Sequence, residues 1–171
     1  MIATMWILGI ETSCDETAVS LIEAGGGLRA PKFKIIENLV ASQIKIHRPF
    51  GGVVPNLAKR EHIRNLPILL KRLAANYSKI KNQKSKMGIP GPERYTLNAI
   101  DMIAVTVGPG LEPALWTGIT FAQELAKKYK KPLIGANHLE GHLYSFLLPQ
   151  KTEGYKSKVI SQKLFPAIAL I

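Results

Sequence analysis

The chain has 171 residues, 46% hydrophobic and 20% charged, which fits a globular, soluble protein of one domain, or one domain plus a fragment. A single cysteine, Cys14, excludes an internal disulfide. No secretory leader pattern is seen, and no apolar run nears the roughly 20 residues of a bilayer span, so a cytoplasmic location away from membranes is expected. The net charge of +11 permits an anionic partner such as nucleic acid. Of that charge, +4 lies in 77–98 and +3 in 151–163, which read either as solvated connectors or as a polyanion-contacting surface.

In chain order, Trp6–Ile10 and Ala18–Ile22 flank a polar turn, Glu11 to Glu16, and lead into Gly25-Gly26-Gly27, which predicts a β-hairpin. Lys34–Ser42 predicts a third strand. Gly51-Gly52-Val53-Val54-Pro55 then enters a helix. Pro67 falls inside the helical spacing of Leu66, Leu69, Leu70 and Leu73, so a break is expected there, with a short helix from about Pro55 and a second from Pro67 towards Asn76. Ile100–Val107 predicts a β-branched strand ending in Gly108-Pro109-Gly110, followed by a helix with Leu115, Ile119, Ala122 and Leu125 on one stripe. Pro132–Ala136 predicts a brief buried strand before a helix bearing His138 and His142, and Phe165–Ile171 reads as a further core strand. The pattern is an α/β layer with a mixed sheet.

His138 and His142 stand four residues apart, so on a helix both imidazoles share one face and can grip one metal ion. A packed or surface pair without metal is the alternative. Glu140 lies about 200° round the helix from either histidine, which rules out the zinc-protease arrangement and leaves the pair in need of a third ligand, most simply a carboxylate. In the turn Gly9–Thr17, backbone amides and the hydroxyls of Thr12, Ser13 and Thr17 can donate to phosphate oxygens, while Glu11 or Asp15 can position a cation, water or reacting group; a plain polar turn is the alternative. Cys14 reads as a small packed side chain rather than a nucleophile. Gly108 and Gly110, between strand and helix, offer close backbone approach to an anion or simply a tight turn. His47 and His62 flank the Gly-Gly-Val-Val-Pro turn and read as surface histidines, with a metal ligand or a phosphate contact as the alternatives.

Four segments taken together, Gly9-Ile-Glu-Thr-Ser-Cys-Asp-Glu-Thr17, His47 through Gly51-Gly-Val-Val-Pro55 to Arg60 and His62, Gly108-Pro-Gly-Leu111, and Asn137-His-Leu-Glu-Gly-His142, resemble the TsaD family of tRNA N6-adenosine threonylcarbamoyltransferases. The resemblance runs from about Trp6 to Ile171. It implies an actin/sugar kinase/Hsp70-like (ribonuclease H-like) lobe with a mixed sheet flanked by helices over 1–163, and the first strand of a truncated second lobe at 164–171. It also implies transfer of a threonylcarbamoyl group from threonylcarbamoyl-adenylate to N6 of adenosine 37 in tRNA. His138 and His142 would hold one divalent ion, iron or zinc, with an aspartate from beyond this sequence, and Glu11 would be the acidic residue close to the reacting centre. Thr12, Ser13, Gly108 and Gly110 are the candidate contacts to the nucleotide, the adenylate or ATP. TsaB-like and TsaE-like proteins are implied partners beside tRNA, and this length of chain is expected to be inactive alone and weak in metal affinity. Asn56 departs from the family's glutamate and removes a charge there. A non-catalytic partner of the same fold that dimerises with the transferase is the alternative, against which the retained histidine pair argues. A kinase or chaperone of the same superfamily has no role for that pair.

Overall fold

A computed structural model describes residues 4–27, 31–85 and 97–145. Strand β1 (Met5–Glu11) pairs antiparallel with β2 (Glu16–Gly25), which pairs antiparallel with β3 (Lys32–Ser42) through a bulge at Leu21/Ile22. A one-turn helix α1 (Ile44–His47), the long α2 (Pro55–Ser85), β4 (Met102–Gly108), α3 (Glu112–Tyr129), β5 (Leu133–Asn137) and α4 (His138–Tyr144) follow. β4 runs parallel to β1 and β5 parallel to β4, so the sheet order is β3-β2-β1-β4-β5. This mixed five-stranded sheet with flanking helices is the expected ribonuclease H-like lobe.

The period of two along each strand sends Leu8 and Ile10 of β1, Val19 and Leu21 of β2, and Ile103 and Val105 of β4 to one face. Leu66, Leu69, Leu70 and Leu73 of α2 and Ala122 and Leu125 of α3 cover them. Full burial of each larger side chain contributes about 1.5–3 kcal/mol, so this layer fixes the register that positions the strand ends.

Three expectations change. α2 is continuous through Pro67 rather than broken there. Pro67 and Ile63, whose carbonyl lacks its usual donor, both lie on the exposed side, where water can take that carbonyl, while Leu66, Leu69 and Leu70 pin both halves to the sheet. α2 also runs on to Ser85, into a stretch expected to be a loop, because Lys and Gln propagate a helix well and the first breaker is Gly88. Among the described residues β5 is an edge strand, with Ile134, Gly135 and Asn137 exposed, rather than a buried one. The expected strand at 164–171 lies outside the described residues. Among the described residues no helix is long and apolar enough to cross a membrane.

Candidate functional site

The parallel strands β1, β4 and β5 end at one edge of the sheet, on Glu11, Gly108 and Asn137. The carboxyl ends of strands at the point where sheet connections diverge are the usual ligand crevice of open α/β sheets, and here that point is the β1–β4 pair. The register Ile10↔Val105 sets Glu11 beside Thr106. Asn137, in extended conformation (φ −80°, ψ 130°), caps α4: its Oδ1 accepts the N–H groups of Leu139 (2.9 Å) and Glu140 (3.2 Å). The cap starts the helix at His138 and fixes which way that side chain leaves the strand.

His138 is thereby brought to the β1 turn. Its Nδ1 lies 3.1 Å from Ser13 Oγ and 3.4 Å from Glu11 Oε2, and its Nε2 lies 3.1 Å from His142 Nε2, with the two rings at 89°. Two imidazole nitrogens about 2.0–2.1 Å from one tetrahedral ion stand roughly 3.3 Å apart, so the pair fits a shared metal. A carboxylate on the far ring nitrogen is the usual device for orienting a ligating histidine, and Glu11 occupies that place. Among the described residues no group of three His, Cys, Asp or Glu side chains gathers to hold a metal. Glu140 points to solvent, as its angular offset requires.

Burial pushes the Glu11 carboxyl up, but hydrogen bonds from the Ser13 side chain, Thr106, the Ser13 backbone and His138 outweigh it and hold the group below its ordinary value, ionised at neutral pH. Oε1 accepts the Ser13 N–H; Oε2 accepts the Thr106 hydroxyl and faces His138. Thr106 was not singled out from the sequence. The available signal was a polar residue at the carboxyl end of an otherwise apolar parallel strand, one position past the partner of Ile10.

The remaining candidates fasten the turn. Thr12 is fully buried, and its hydroxyl donates to the Ala114 carbonyl at 2.9 Å, so it is committed to α3 rather than turned outward as a phosphate donor. Gly118 of α3 admits this approach: a Cβ there would collide with Thr12 Oγ1. Gly110 lies against the Ser13 backbone, where a Cβ would come within 2.6 Å of the carbonyl oxygen, and the Leu111 N–H donates to that same oxygen at 2.7 Å. Gly108 (φ +151°) makes the preceding bend in a conformation side chains rarely adopt. A cavity of about 170 Å³ opens beside Glu11 and Thr106, lined also by Gly9, Ser20, Ala104 and Ala136.

His47 and His62 are buried, not surface residues. His62 Nδ1 accepts from Thr17 Oγ1 at 2.8 Å and its Nε2–H donates to the Cys14 carbonyl at 3.0 Å. Burial holds its imidazole below the ordinary value, outweighing the Cys14 bond. The overlooked signal is helical spacing: His62 shares a stripe with Ala58, Leu66, Leu69 and Leu73. Cys14 is exposed rather than packed, and partial desolvation with the adjacent Asp15 pushes its thiol up, against any thiolate role.

Residues 34–156 match the family described as TsaD: tRNA N6-adenosine threonylcarbamoyltransferase. The chain belongs to this family. A TsaD relative from Fervidobacterium nodosum is 48% identical over 141 residues, 82% of this chain and 35% of its own length, and one from Dictyoglomus turgidum is 44% identical over 167 residues, 98% and 40%. Both are named tRNA N6-adenosine threonylcarbamoyltransferase. The chain therefore spans about 35–40% of the length of these curated relatives. Among solved structures, YeaZ from Pseudomonas aeruginosa aligns with a TM-score of 0.43 at 19% identity, covering 82% of this chain and 49% of that one.

Proposed function

We propose that this chain supplies the metal-binding edge of a transferase that moves a threonylcarbamoyl group from threonylcarbamoyl-adenylate to N6 of adenosine 37 in tRNA. Membership of the TsaD family supports the reaction. The observation that carries the site is the facing pair of Nε2 atoms, 3.1 Å apart, with His138 Nδ1 held by Glu11 and Ser13. His138 and His142 would hold one divalent ion, iron or zinc, through those nitrogens. When bound, the ion supplies positive charge that holds and polarises phosphate or threonyl oxygens of the adenylate.

In the transfer, the adenosine amine nitrogen bonds to the carbamoyl carbon as the carbon–oxygen bond to phosphate breaks, AMP leaves with that electron pair, and the amine gives up a proton. Glu11 stays ionised and uses most of its lone pairs on Ser13, Thr106 and His138, so its first task is to orient His138. A remaining lone pair can accept the amine proton. Ser13 and the Gly108–Gly110 backbone form the edge on which the adenylate or ATP would lie, with Thr12 holding the edge from below. Nucleotide sites occupy roughly 300–1,000 Å³, more than the cavity beside Glu11, so further walls come from outside the described residues. TsaB-like and TsaE-like partners, and a cytoplasmic setting where tRNA is found, complete the reading.

The test sets this sequence in a full-length family context and measures threonylcarbamoylation of tRNA with and without the paired change His138→Ala and His142→Ala. Loss of product with intact folding is expected. An unimpaired rate in the double variant would overturn the assignment.

A further inference from the structure

Three successive carbonyls of the β1–β2 turn are each clamped by a different element. Ser13 O accepts the Leu111 N–H ahead of α3 (2.7 Å), Cys14 O accepts the His62 Nε2–H from α2 (3.0 Å), and Asp15 O accepts the Gln43 N–H ahead of α1 (2.9 Å). Only the middle clamp is a side chain. It belongs to a buried relay: the Val54 N–H reaches His47 Nδ1 (3.3 Å), His47 Nε2–H donates to Gln43 Oε1 (2.9 Å), and Gln43 Nε2 and Thr17 Oγ1 both donate to His62 Nδ1 (3.3 and 2.8 Å). One choice of tautomers, Nε2–H on both rings, satisfies the bonds to Val54, Gln43 Oε1, Thr17 and Cys14, with Gln43 Nε2 sharing the single Nδ1 lone pair of His62 with the shorter Thr17 bond. His62 and Gln43 are fully buried and His47 nearly so. An aliphatic side chain would fill the same layer without the desolvation of three polar groups, so what the relay adds over packing is direction.

We infer that His62 is a positioning residue for the metal-binding edge: clamping Cys14 O and Thr17 Oγ1 from beneath, it sets the turn so that Ser13 and Glu11 meet His138 Nδ1. The metal part of this inference rests on the function proposed above; the alignment of His138 does not. With Ser13 and Glu11 in place, His138 carries its proton on Nδ1 and leaves the Nε2 lone pair facing His142. When the turn is released, the ring reverts to a mixture of tautomers.

The experiment uses the 171-residue chain labelled with ¹⁵N and reads the His138 ring nitrogens by long-range proton–nitrogen correlation, alongside Co²⁺ titration. His62→Leu is expected to shift His138 from the Nδ1–H form and to weaken Co²⁺ binding about tenfold, the usual scale for loss of an outer hydrogen-bond partner. His62→Gln, whose amide can place an N–H where Nε2 stood, should restore both; His62→Asn, which reaches only the Nδ1 place, should not. Leu73→Ala, distant on the same helix, controls for general loosening and should leave the tautomer unchanged. If His62→Leu does not fold, the Gln and Asn variants decide the matter. An unchanged tautomer in folded His62→Leu or His62→Asn, or an equal shift in Leu73→Ala, overturns the inference. Failure of this sequence to bind Co²⁺ in the full-length family context would contradict the proposed function, and the tautomer measurement would still decide the role of His62.

Discussion

Replacing Gly110 by alanine perturbs the site through one contact. The added Cβ would meet Ser13 O at 2.6 Å, Ser13 Cβ at 2.9 Å and Ser13 Cα at 3.1 Å, backbone or backbone-attached atoms with no flexible end to swing aside. Restoring an ordinary carbon–oxygen separation of about 3.4 Å requires a shift of roughly 0.8 Å, comparable to the overpacking that costs about 1–3 kcal/mol in well-packed interiors. The same shift opens the 2.7 Å bond from Leu111 N–H to Ser13 O and carries Ser13 Oγ, now 3.1 Å from His138 Nδ1, out of hydrogen-bond range. Urea unfolding should register the stability loss, and Co²⁺ titration should register weaker binding by the histidine pair, on the order of tenfold. Gly52→Ala is the control, since its Cβ would meet nothing within 4 Å. Undiminished metal affinity in a destabilised Gly110→Ala would refute the link from this turn to His138.

Other consequences are open to the same equilibrium measurements. His62 is neutral and buried in the native chain, whereas the unfolded chain takes up its proton near pH 6.5, about the ordinary value. Its contribution to stability is therefore complete above that pH and is lost as pH falls through the lowered native value; His62→Gln should flatten the fall in unfolding free energy as pH drops below that ordinary value. Thr12→Val removes the buried donor to Ala114 O and should destabilise by about 1–3 kcal/mol in urea unfolding, whereas a neutral result would mean that the hydroxyl does not fasten the turn. Pro67→Ala restores a missing backbone donor in an exposed helix interior and should stabilise by about 1–3 kcal/mol. A loss of stability there would show that Pro67 supports α2 in some other way.

The hairpin, the β4–α3 turn and the paired histidines were legible because each is written in local signals: period two in Leu8 and Ile10, the glycines Gly108 and Gly110, and the i, i+4 step from His138 to His142. The continuity of α2 was not, because a proline's local cost is overridden by leucines on either side that anchor one helix to the sheet. The relay of His47, Gln43 and His62 was misjudged for a different reason. His62 carries a helical-face signal that the residue type masked, and its partners Thr17 and Cys14 lie 45 and 48 residues away, at a distance that only the strand order closes. The contact between Gly110 and Ser13 likewise depends on the parallel pairing of β1 with β4, which spans 95 residues of sequence.

The central claim is that His138 and His142 bind one ion through facing Nε2 atoms. Co²⁺ titration of the 171-residue chain, followed by its visible ligand-field spectrum, tests it most directly. One Co²⁺ per chain with imidazole ligation, lost in both His138→Ala and His142→Ala, is predicted. Binding that survives either substitution unchanged would contradict it.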